Sequence, residues 1–139
     1  MTEIADLRLL LEVSEVTYDR QRQALAVIAR EESRLRQDLE RLDALDASDA
    51  PEADRGHGMR AVGADILWQG WLARTRTRIN MELARVLARK AHEQARLRKA
   101  FGRVDALRQL IGAEDGKQRK RAEAQNLEST IEIALRPPQ

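Results

Sequence analysis

The first 50 residues contain neither glycine nor proline, and a 4-3 step of side chains runs through them. The step picks out Ile4, Leu7, Leu11, Ser14, Tyr18, Gln21, Leu25, Ile28, Glu32, Leu35, Leu39 and Leu42, of which nine of twelve are apolar. A mean spacing of about 3.5 residues gathers them into one narrow stripe of an α-helix, and a stripe of that width is buried by a second helix. The pattern predicts a coiled-coil helix over about residues 3–47, because nothing in the segment breaks it. Thr2 is the candidate N-cap, and Glu3 and Asp6 place acids at the positive end of the helix dipole.

The stripe stops at DASDAPEADRGHGM, which collects Asp, Ser, Pro and Gly and has no apolar period. Such a segment is a turn, expected over about residues 48–60, and a second helix is expected over about 61–135. Gly63 and Gly70 soften the start of that helix. A second seam follows: Ile79, Leu83, Val86, Lys90, Glu93, Leu97, Ala100, Val104, Leu107 and Ile111. If the chain folds back near residue 53, the polar positions Ser14 and Gln21 approach Lys90 and Glu93, and polar layers meet polar layers. The fold class expected is all-α: a two-helix antiparallel coiled-coil hairpin, one domain over residues 1–139, with the second helix longer. On that register the second helix overhangs the first from about residue 105, and Gly112 with the EDG at 114–116 weakens or kinks it. A basic cluster, Lys117, Arg119, Lys120 and Arg121, and a short apolar set, Leu127, Ile131 and Leu135, precede the stop at Pro137 and Pro138.

Composition agrees with a rod. Aromatic residues make up 3% of the chain and charged ones 35%, so a thick globular core has little to draw on and a large surface is well supplied. Cysteine is absent, which excludes a disulfide framework and thiolate zinc. No apolar run reaches the roughly 20 residues of a membrane span, and acids precede the short apolar stretch near the N-terminus, unlike a secretory signal. A cytoplasmic location is expected. Charge is unevenly placed: residues 1–48 carry 11 acids and 7 bases, and residues 59–121 carry 16 bases and 6 acids. Two such arms attract each other.

Chemistry is harder to find. His57 sits between glycines in the turn and reads as a solvated residue; His92 lacks the second histidine of a zinc helix. No glycine-rich phosphate loop follows a strand, and Glu31 and Glu32 stand on a helix with no pocket. No enzyme activity, metal, cofactor or small-molecule substrate is expected. Arg74, Arg76, Arg78, Arg96, Arg98 and Lys99 form a basic stretch whose first reading is pairing with helix-one acids, ahead of acidic protein partners and then nucleic acid. Trp68 and Trp71, three apart near the turn, read equally as a plug closing the hairpin or as a binding hot spot.

The aromatic-led start of the second helix, WQGWLARTRTRINMEL, and the charged tail GKQRKRAEAQNLESTIEIALRPPQ carry a resemblance. Together with the chain length and the N-terminal heptads, they resemble the flagellar export protein FliJ and its type III secretion counterparts, the YscO group. The resemblance implies a stalk that binds a hexameric export ATPase and a membrane export gate protein, with export chaperones as a further partner class. It also implies gate contact near the tip, here Leu39, Leu42, Trp68, Trp71 and Leu72, with the termini and Lys117, Arg119, Lys120 and Arg121 facing the ATPase. The family works in the cytoplasm against the membrane export apparatus. A generic coiled-coil adaptor or scaffold is the alternative, and a basic helical nucleic-acid binder a more distant one.

Overall fold

The computed structural model describes residues 2–48 and 58–139, and it is all-helical. α1 spans Thr2–Ser48 and α2 spans Gly58–Leu135, 47 and 78 residues long. They run antiparallel as a helical hairpin: Arg76 reaches Asp43, and Arg89 reaches Glu31. The turn expected over 48–60 lies mostly outside the described residues, as do His57 and the side chain of Thr2. α2 begins at Gly58, slightly before the expected residue 61.

α2 runs helical through Gly112 and 114–116, where weakening or a kink is expected, so the helix is not broken there. A glycine costs about 1 kcal/mol relative to alanine in a helix, and the neighbours here, Ala113, Glu114, Lys117 and Gln118, are strong helix formers. α2 ends where the sequence placed its stop. The amide of Arg136 reaches back to the Ile133 carbonyl at 3.4 Å, and Pro137 has no amide to continue the ladder.

The chain forms two compact units. In the unit Gln21–Arg96, the core is Ile28, Leu35, Leu42, Leu72, Ile79, Leu83 and Val86, with Leu39 and Trp68 packed against it. Leu25 is half-buried beside them in the same stripe. Burying a leucine such as Leu35 contributes roughly 1.5–3 kcal/mol. The seam then turns polar. Glu32 accepts a hydrogen bond from Lys90 Nζ at 2.7 Å, and Arg36 holds the same carboxylate at 3.0 Å. Gln21 donates its amide to Glu93 at 2.7 Å and accepts from Arg96 at 3.2 Å.

The second unit joins Met1–Arg20 to Leu97–Gln139. Ile4, Ala100 and Val104 are buried, and Leu7, Leu11, Leu97, Leu107 and Ile111 are half-buried. The rings of Tyr18 and Phe101 lie 6.0 Å apart, and Arg108 donates to Glu15 at 2.9 Å. Arg8 stands 3.8 Å from Asp115.

The pairing register differs from the expected one. Partners' numbers total about 120, as in Glu31 with Arg89 or Tyr18 with Phe101, where folding about residue 53 requires about 106. The shift is about 14 residues, two whole heptads, and a 4-3 pattern matches itself after every heptad. Gln21 still meets Glu93, but Lys90 is met by Glu32, and Ser14 shares a cleft with Ala100 and Arg103. The overhang expected from residue 105 starts later, because Ile4 and Ala5 share a groove with Gln118, Arg121, Ala122 and Gln125.

Position in the seam sets the energetic consequence of truncation. Leu35→Ala should lower unfolding free energy by about 2–4 kcal/mol, whereas Val27→Ala, about two turns away on the exposed face, should change it by less than about 0.5 kcal/mol. Chemical denaturation followed by far-UV circular dichroism measures both, and equal losses would contradict the seam.

Candidate interaction surfaces

α1 ends at Ser48, and Arg76 pairs with Asp43 at 2.8 Å and lies 3.8 Å from Asp46. The last turn of α1 is therefore level with about Leu72, and the turns of α2 before it have no α1 residue opposite. Val62, Ile66 and Leu67 are exposed there. Trp68 and Trp71 stack with ring centroids 5.3 Å apart at 20°, as a three-residue helical spacing allows. Their two readings divide between the rings. Trp68 packs on the core and buries its Nε1, which has no hydrogen-bond partner among the described residues. Trp71 remains 44% exposed.

The other residues picked out at the tip belong to the seam. Leu42 is buried, Leu72 is 1% exposed, and Leu39 is half-buried against the same cluster. They hold the two helices together and present little to a partner. Of the five, Trp71 alone offers a large face; Leu67, one turn earlier, lies on the same side and Ile66 on another, and the sequence reading left both out. Those two carry no seam periodicity, so only the late end of pairing reveals them.

The basic cluster is presented openly: Lys117, Arg119, Lys120 and Arg121 are all exposed. Lys117 reaches Glu114 at 3.5 Å, and Arg121 borders the groove formed with Ile4, Ala5, Arg8 and Asp115. The basic stretch of α2 splits by direction. Arg76 turns toward the α1 acids Asp43 and Asp46, and Arg96 pairs with Glu93 on its own helix at 3.2 Å while also donating to Gln21 of α1. Arg74, Arg78, Arg98 and Lys99 are exposed. Pairing with helix-one acids thus accounts for Arg76 within the stretch, and outside it for Arg89, Lys90 and Arg108. Exposed pairs of this kind contribute roughly 0–1 kcal/mol each.

Glu32 has a displaced ionisation. The hydrogen bond from Lys90, then that from Arg36, holds it below its ordinary value of 4.5. Among the described residues no three or more His, Cys, Asp or Glu side chains gather as a metal site, and no helix is long and apolar enough to cross a membrane. His92 is exposed on α2. The arrangement offers binding surfaces: a tryptophan face at the start of α2 and a basic, apolar helical end. No family model, curated protein or solved structure matches the chain.

Two measurements follow from the site geometry. A folded-state pKa below the unfolded value means that Glu32 stabilises the fold above about pH 4.5 and loses that contribution as pH falls further. Glu32→Gln should therefore flatten the acid limb of the stability profile; an unchanged limb would show that the Lys90 contact is immaterial. The rings should also separate by fluorescence. With Trp71 replaced by Phe, the remaining Trp68 should emit to the blue and resist iodide quenching, and the Trp68→Phe protein should do the reverse.

Proposed function

We propose that the chain acts by binding, as a stalk or coupling component of a flagellar or type III protein export apparatus. The carrying observation is the unequal hairpin: α2 extends beyond α1 with a tryptophan face in one unit and carries an exposed basic cluster in the other. In this reading Trp71, with Leu67 one turn before it, docks on the membrane export gate protein. A half-exposed tryptophan in an apolar setting is the kind of residue that anchors protein interfaces. Lys117, Arg119, Lys120 and Arg121 meet acidic surface on the hexameric export ATPase, where opposite charge speeds encounter. The protein would work in the cytoplasm at the membrane-embedded apparatus. The resemblance of the aromatic-led helix start and of the charged tail to FliJ and YscO proteins supports the same assignment.

The second reading, a coiled-coil adaptor without an export role, is favoured by a specific feature. Leu127, Ile131, Ile133 and Leu135 leave an apolar helical end exposed, and such a surface suits many helical partners. A pull-down with the cognate export ATPase and the cytoplasmic domain of the export gate separates the two. Trp71→Ala should weaken gate capture at least several-fold and spare the ATPase, and reversing the four bases to Glu should do the opposite. Retention of neither partner, with export intact in a deletion strain, would replace the export assignment by the adaptor.

A further inference from the structure

α2 carries a second 4-3 seam, displaced from the one that α1 covers. It begins at Ala106, Leu110 and Ala113 and resumes at Ala124, Leu127 and Ile131, all exposed. Lys117 and Lys120 occupy the two positions between. The spacing is unbroken over these eight positions, so they form one stripe of the helix. α1 adds to its first half. Val13, Thr17 and Arg103 border one cleft, and Leu10 and Leu110 stand one heptad from Thr17 and Arg103, on the same flank. Leu10, Val13, Leu110, Leu127 and Ile131 are between 48% and 64% exposed.

The stripe is its own complement when reversed. If Leu110 faces Leu127 of a second copy, Ala113 faces Ala124, and the small Ala106 faces the large Ile131. The same alignment brings Glu114 within a turn of the second copy's Arg121, twice by symmetry. An interface between identical copies about a two-fold axis requires such self-complementarity, which here holds in size along the stripe and in charge at the two Glu114–Arg121 pairs on its flank. The final turns of α2 also need a reason to be helical. The segment beyond Gln125, the last α2 residue in the groove with Ile4 and Ala5, has no described α1 residue beside it, and a helical end without a packed face frays in water.

We infer that α2 is an antiparallel homodimerisation surface, centred between Lys117 and Lys120. Each copy lays its Ala124–Ile131 segment against Ala106–Ala113 and the Leu10–Val13 face of the other, making a three-helix section at either end of the contact. Lys117 meets Lys120 of the second copy across the axis, and this like-charged contact keeps the association reversible. The interface overlaps the basic cluster, so dimerisation and docking of that cluster on an acidic partner exclude each other. The inference does not rest on the export assignment, since it concerns the chain alone.

Sedimentation equilibrium of the full chain across the micromolar range should show a monomer–dimer equilibrium. Leu127→Glu should weaken it by about tenfold or more, while leaving the helical signal and the thermal midpoint of the monomer unchanged, because Leu127 is exposed there. Lys120→Glu turns two lysine contacts at the axis into two Lys–Glu contacts and should tighten the dimer several-fold; a parallel pairing would give no such gain. Orientation is read directly, because the chain has no native cysteine. A Leu110→Cys chain mixed with a Leu127→Cys chain should form the mixed disulfide in preference to either self-pair. A monomer at every concentration, or self-pairs without the mixed product, would overturn the inference.

Discussion

The structure depends on one narrow seam between two helices. A two-helix assembly has no third layer to complete its core, so each apolar residue faces a single partner helix and is sealed at its sides by the aliphatic stems of charged neighbours. Leu35, Leu72 and Val86 are the most deeply buried side chains, and the unit around them contains a row of such contacts and little else. Heptad regularity is consequently not an ornament of this sequence. Without it the apolar residues would wind off the line of contact within a few turns.

Much of this was legible in the residues. All twelve 4-3 positions of α1 and all ten of the second seam are buried or half-buried, and both helix ends lie close to their expected places. The register was not legible, for a physical reason. Periodicity states which face is buried but repeats every seven residues, so pairings two heptads apart satisfy it nearly alike. The polar layer could have decided between them, since the true register joins Lys90 to Glu32 as an ion pair. Placing the fold-back point at the middle of the turn hid that match, because α2 starts well before α1 residues are available to pair with it.

The candidate surfaces were legible in composition and not in detail. Two tryptophans in a ring-poor chain stand out, but their spacing alone leaves open which of them enters the core. Trp68 shares the seam's phase with Leu72, and Trp71 does not, so the packing divides them. The exposed stripe on α2 escaped notice because alanines make up half of its apolar positions, and alanine signals helix more than contact.

The layer of Lys90 and Glu32 has a mechanical corollary. Two smooth heptad faces can slide along one another only in jumps of about 10 Å, one heptad at a time, because intermediate positions set ridge against ridge. After a single jump Lys90 would confront the level of Leu25 or Leu39 and lose its carboxylate, and Glu32, left with Arg36 alone, would face the level of Leu83 or Leu97, so both charges would sit against hydrocarbon. The ion pair therefore works as a detent: it adds little to holding the helices together, but it makes every neighbouring stop on the slide a bad one, so that a pull on one helix is passed to the other and not dissipated as slippage.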